Sequence, residues 1–133
     1  QRNTNGYDIK RLNMLLAVLE KRCGYKLSTQ DVFVNIAGGL KINDPATDLG
    51  IAASLISSFE NLALSNKMVF AGEIGLSGEI RGVNRIDQRL KESEKLGFKD
   101  FVISDQLDVK TKEYKIKIHQ VANVNQFFSL IFG

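Results

Sequence analysis

The chain has 133 residues, 44% hydrophobic and 25% charged, with a formal net charge of +3. Its size fits one domain of ordinary globular composition, and no apolar run approaches the roughly 20 residues of a membrane helix. A single cysteine, Cys23, excludes an internal disulfide and a four-Cys zinc site, and the weakly basic balance permits nucleic-acid contact without requiring it.

Residues 1–7 read as a linker or an edge strand. No apolar block follows the polar opening, so it is not read as a signal peptide. With no initiator Met, the chain reads as a piece of a longer protein, and the cytoplasm is the expected compartment. A helix is predicted over 8–23, with Ile9, Leu12, Leu16, Leu19 and Cys23 as its apolar stripe and Gly24 past its end. Cys23 is expected to act there as a small buried hydrophobe. Residues 32–37 read as a strand, ended by Gly38-Gly39; no P-loop Lys-Ser/Thr follows these glycines.

Asp44-Pro45 marks the next helix start. An Asp at the N-cap accepts from free backbone N–H groups, and Pro at the first helical position loses no hydrogen bond. This helix is predicted to reach about residue 60, burying Leu49, Ala52, Ala53, Ile56 and Phe59 on one face. Residues 68–74 form a near-continuous apolar strand, expected to be buried on both faces. A hairpin turn over 75–78 leads to a return strand over 79–83. A charged helix over 85–96 uses Ile86, Leu90 and Leu96 as apolar contacts and stops at Gly97.

Phe101-Val102-Ile103 is a short buried strand, 105–113 a polar loop, and 114–119 a strand with one wet face. Asn123 with Gln126 resembles a capping box for a last helix carrying Phe127, Phe128, Leu130 and Ile131. That helix either closes the core or docks on another subunit. The order α-β-α-β-β-α-β-β-α predicts a single α/β domain over 1–133, a mixed sheet covered by helices.

Ala46 falls in the first turn after Pro45, beside free N–H groups and the positive end of the helix dipole. In many hydrolases such a place holds a nucleophile; here it holds a methyl group. The run Asp44-Pro45-Ala46, the strand Met68-Val69-Phe70-Ala71-Gly72-Glu73-Ile74, the turn to Gly78 and Leu96-Gly97-Phe98 resemble the proteolytic domain of Lon proteases. In that family a Ser directly follows the Pro and a Lys lies 43 residues later; Ala46 and Arg89 stand at those places here.

Gly6-Tyr7-Asp8 with Arg11, the run from Leu15 to Arg22, Asp31-Val32-Phe33-Val34-Asn35, Gly38-Gly39 and Asp48-Leu49 resemble more closely the C-terminal Lon-like domain of the RadA (Sms) family. The resemblance covers nearly the whole chain. It implies the Lon proteolytic-domain fold. It also implies a bacterial DNA-repair and recombination ATPase that drives branch migration, with this domain supporting a homo-hexameric ring and contacting DNA. A recombinase filament is an implied partner of the whole protein; a membrane is not. ATP, Mg and Zn are implied for segments outside this chain, which has neither a P-loop nor a four-Cys motif and is expected to hold no cofactor.

A Ser–Lys dyad needs a hydroxyl and an amine that can be neutral. The Ala46 side chain has no oxygen, and a guanidinium, unlike a lysine amine, offers no neutral nitrogen to act as a base. Catalysis by this dyad is therefore not expected. Thr47 is turned by roughly 100° from Ala46 along a helix. Ser54, Ser57 and Ser58 read as polar-face residues, Lys91 points elsewhere on its helix, and His119 has no partner suggested by spacing. Arg89 is expected to pair with Asp44 or Asp48; the alternative is an anion site made of Arg89 and free N–H groups.

Candidate DNA contacts are Arg2, Lys10, Arg11, Arg81, Arg85, Arg89 and Lys91, each able to meet phosphates without reading sequence. A scattered solvated surface is the plainer account of these cations. Two rival functions stand beside the silent domain: a protease with an unrecognised nucleophile, and an assembly module without DNA contact.

Overall fold

The computed structural model describes residues 1–133. The first strand, β1 (Arg2–Asn5), pairs in parallel with β2 (Val32–Asn35), so the opening residues are an edge strand. Helix α1 (Ile9–Cys23) makes the crossover between them. Asp8 caps its start by accepting from the Lys10 N–H, and Gly24, at φ 78°, ends it in the left-handed region that only glycine enters without strain.

Pro45–Thr47 forms a single 3-10 turn that leads into α2 (Asp48–Glu60). The predicted strand over 68–74 is broken at Gly72 into β3 (Met68–Ala71) and β4 (Glu73–Ile74). A Cβ on Gly72 would lie 2.7 Å from Leu49 Cδ1 and 2.9 Å from Ile80 Cγ2. The chain can pass between helix and hairpin only without a side chain there. Strand β5 (Ile80–Arg81) completes the antiparallel hairpin with β4.

Helix α3 (Ile86–Lys95) crosses to β6 (Asp100–Ser104), then β7 (Lys117–Val121) and α4 (Val124–Phe132) follow. Strands β3, β6 and β7 form a three-stranded parallel sheet with β6 central. The class is α/β, with parallel and antiparallel pairings in three separate small sheets rather than one.

The central strand explains why the apolar run at 101–103 is continuous. Val102 joins the main core with α1, α2 and α4, while Phe101 and Ile103 join a second cluster with Leu90 of α3. Successive side chains point to opposite faces, and both faces are covered. Strand β3 is less enclosed: only Ala71 is fully buried and Met68, Val69 and Phe70 are partly exposed. Helix α4 closes the core through Val124, Phe127 and Phe128, packing on α1. Its Asn123 side chain accepts from the Gln126 N–H at 2.9 Å, as the capping box read from the sequence requires, while the Gln126 side chain accepts at 2.8 Å from the N–H of Ala122, one residue before the N-cap.

Some expected contacts fall at the margin of the core. Leu96 is 67% exposed, because α3 ends at Lys95 and the chain turns away through Gly97 at φ 86°. Ile9 and Phe59 are 37% and 36% exposed, at the ends of their helices, and Cys23 is half-buried. Residues 114–116 precede β7, which runs two residues beyond the expected end at 119.

Candidate functional site

The site is built where the start of α2 meets the break between β3 and β4. The Asp44 carboxylate accepts from the Ala46 N–H at 3.0 Å through Oδ1. Its other oxygen, Oδ2, accepts from Arg89 Nη2 at 3.0 Å. The Ala46 carbonyl accepts from the Gly72 N–H at 3.0 Å, and the Leu49 N–H donates to the Gly72 carbonyl at 3.3 Å. Ala46 is 3% exposed, so its methyl faces protein and its backbone is held on both sides.

Arg89 reaches this point from α3. Its Nε donates to the Asn84 carbonyl at 2.9 Å and its Nη2 to Asn84 Oδ1 at 3.2 Å. The guanidinium is thereby oriented toward the carboxylate rather than toward an open oxyanion. The Ala46 N–H and then Arg89 hold the Asp44 carboxyl below the usual carboxylate range. The sequence places Ala46 and Arg89 43 residues apart, and the fold brings both to the two oxygens of one carboxylate.

The Thr47 hydroxyl donates to the Asp44 carbonyl at 2.8 Å. Ser57 donates to the Leu62 carbonyl, and Ser54 and Ser58 are exposed on α2. His119 does have an acid partner: the β6–β7 register brings its Nε2 to 2.8 Å from Asp100 Oδ1. Spacing alone does not reveal that pair, because it depends on the pairing of two strands. Ser104, the buried hydroxyl of β6, donates to the Ile80 carbonyl at 2.6 Å.

Beside this site lies a buried ion pair. Asp48, 0% exposed, accepts from Arg11 Nε at 2.7 Å, from Tyr7 Oη at 3.2 Å and from the Ile74 N–H at 3.0 Å, and Arg11 Nη2 donates to its second oxygen. Burial and the Asp48 charge push the Tyr7 hydroxyl well above its ordinary pKa, and the Asp48 hydrogen bond raises that of Arg11. Asp48 therefore serves Arg11, and Arg89 pairs with Asp44 alone. Local spacing gives no signal for this cluster, because Tyr7 lies before the Asp8 N-cap, outside the helix that carries Arg11.

The seven candidate DNA contacts do not form one patch of free charge. Arg2 donates to Asn13 Oδ1 at 3.5 Å and to the Leu27 carbonyl at 3.4 Å. Arg11 is committed to Asp48, Arg89 to Asp44, and Lys91 to Asp87 at 3.1 Å. Arg81 pairs with Glu73 across the hairpin at 3.3 Å and with Glu79 at 3.2 Å. Only Lys10 and Arg85 are exposed with no acidic partner. Arg85 is also one of two non-glycine residues at positive φ, 55°, where it precedes α3. A shallow cavity of about 480 Å³ beside it is lined by Arg85, Gln88, Arg89, Glu92, Val69 and Phe101, among others.

Residues 10–106 match the model of the family described as subunit ChlI of Mg-chelatase. The chain belongs to that family. It is also similar to proteins named DNA repair protein RadA. That of Halalkalibacterium halodurans is 52% identical over 105 residues, covering 79% of this chain and 23% of that protein. That of Chlamydia muridarum is 52% identical over 114 residues, covering 85% and 25%. That of Bacillus subtilis is 46% identical over 134 residues, covering 100% and 29%. The chain spans about a quarter of the length of these curated relatives.

The RadA homology holds over most of the chain, and the names of these relatives put the family in DNA repair. The chelatase named in the family description is that subunit's own chemistry. This ChlI-family chain contains no group of three or more His, Cys, Asp or Glu side chains that could hold a metal ion. No helix is long and apolar enough to cross a membrane.

Proposed function

We propose that this chain is a non-proteolytic Lon-like domain of a RadA-type, DNA-dependent ATPase that drives branch migration in recombinational repair. The observation that carries the reading is that one carboxylate, Asp44, engages both the Ala46 N–H and the Arg89 guanidinium. A Lon-type dyad would need a hydroxyl and a titratable amine at those two places. An internal ion pair there makes a closed, fixed scaffold. The domain itself needs no cofactor; ATP, Mg and Zn would serve other parts of the whole protein, in the cytoplasm.

In this reading the domain helps build a homo-hexameric ring and presents cations to DNA, and the whole protein works beside a recombinase filament. Of the seven candidate contacts, Lys10 and Arg85 are the two that are both exposed and without an acidic partner, so they are the ones expected to meet phosphates. Fluorescence anisotropy with labelled single- and double-stranded DNA at low and moderate salt tests this, with light scattering on the same samples. K10E/R85E should weaken binding and flatten the salt dependence. If the unchanged chain assembles but binds neither DNA, the domain is an assembly module without DNA contact.

A further inference from the structure

Five lysines gather at one end of the three-stranded sheet, and none of them makes an ion pair. Lys67 and Lys99 stand just before β3 and β6, and Lys117 opens β7. Their backbones are joined directly: the Lys99 N–H donates to the Lys67 carbonyl at 2.8 Å, and the Lys117 N–H donates to the Lys99 carbonyl at 3.0 Å. Neighbouring strands lie about 4.8 Å apart, so the three positions fall within about 10 Å. Lys95 ends α3 beside them, and the Glu94 carboxylate accepts from the Lys115 and Ile116 N–H groups, holding Lys115 at the same end. All five lysines are exposed.

The acids at this end are mostly engaged. Asp100, opposite Lys117 in the register, is bonded to His119, and Glu94 holds the two backbone N–H groups; Glu113 is the exposed acid left free. We propose that this lysine rim is a binding surface for the phosphate backbone of nucleic acid. It rests on the reading that the domain touches DNA, and it adds a second surface to that of Lys10 and Arg85. Strand alternation sends Lys67 and Lys99 to one face of the sheet end and Lys117 to the other. The charge therefore wraps a narrow rim, which a chain of phosphates can follow and a flat bilayer cannot. Lysines act here as point charges, so the surface reads no base sequence.

The test is anisotropy of labelled oligonucleotides of unrelated sequence with the 133-residue chain, K67E/K99E/K117E, and K21E/K26E/K41E. The last variant makes the same change of net charge at exposed lysines elsewhere, and circular dichroism checks that each variant is folded. The rim variant should lose about tenfold or more in affinity near 0.1 M salt, and its log–log salt slope should fall by about 2 to 3. The control should stay close to the unchanged chain.

Unchanged affinity and slope in the rim variant, with the loss confined to K10E/R85E, overturns the rim and keeps the DNA reading. No binding by the unchanged chain overturns both. Rim-dependent binding to phosphatidylserine vesicles without oligonucleotide binding also overturns the proposal, because the occupant is then a lipid surface.

Discussion

Arg89 on α3 and Asp44 before α2 meet at 3.0 Å although 45 residues separate them in sequence. The contact ties two helices across the break in the β3–β4 strand, and it sits over the N–H of Ala46. Asp44 is thus an N-cap and an ion-pair partner at once. Asp44→Ala should lower unfolding stability by about 1 to 2 kcal/mol, mostly through the lost cap. Arg89→Ala should cost less than about 1 kcal/mol for the half-exposed pair itself. Urea unfolding followed by circular dichroism measures both.

The same carboxylate gives a pH dependence with a definite sign. Its folded pKa lies below the unfolded value, first through the Ala46 N–H and then through Arg89. The stabilisation is complete above the ordinary carboxylate pKa of about 4 and is lost as pH falls through the depressed folded value. Asp44→Asn keeps a cap acceptor but cannot titrate. It should flatten the acid side of the stability–pH curve relative to the unchanged chain, as read from urea midpoints between pH 2 and 6.

The buried pair should be the more demanding contact. Asp48→Ala leaves Arg11, Tyr7 and the Ile74 N–H without their shared acceptor. Removing one partner of a buried pair costs about 3 to 5 kcal/mol. Arg11→Met leaves the Asp48 carboxylate, 0% exposed, without its cation, so it should cost at least as much. A loss below about 1 kcal/mol for Arg11→Met, measured by urea unfolding, would show that the pair behaves as a surface ion pair and that the burial of Asp48 is not what matters.

Tyrosine ionisation offers an independent check. The Asp87 carboxylate accepts from the Tyr114 hydroxyl and pushes its pKa up to about 12, and Tyr7 and Tyr25 are raised chiefly by burial. An ultraviolet titration of the folded chain should show no tyrosine ionising at the ordinary value of about 10. Asp87→Asn should bring one tyrosine down. Because the folded pKa of Tyr114 is raised, its contribution to stability is present below pH 10 and fades as pH rises toward 12.

Gly72 tests the packing around Ala46. Gly72→Ala puts a methyl into Leu49 and Ile80, and overpacking of this kind costs about 1 to 3 kcal/mol. Differential scanning calorimetry should show a clear loss of Tm. An unchanged Tm would mean that the helix start and hairpin can separate freely.

Much of this architecture is legible in the residues. Asn123 as the N-cap of the last helix, Asp44 before Pro45, and the short buried 101–103 strand follow from local chemistry and composition, and each is present, whereas the burial on both faces expected of 68–74 is met by the central strand β6 instead of β3. The break at Gly72 is not legible, because it depends on Leu49 and Ile80 crowding the backbone from other elements. The His119–Asp100 pair depends on strand register, and Leu96 is exposed because the chain turns at Gly97, which periodicity does not report.

Among the cations, sequence distinguishes type and spacing but not pairing. Arg11, Arg81, Arg89 and Lys91 all have carboxylates in the fold. The lysines before β3, β6 and β7 look unrelated until the sheet brings them together.

The most direct measurement is hydrolysis of fluorescein-labelled unfolded casein by the purified chain, with and without DNA. The account predicts fluorescence release no faster than in buffer, because the Ala46 side chain offers no hydroxyl and Arg89 no neutral amine. Turnover that follows the chain through purification and disappears on substituting one of its hydroxyl residues would contradict it.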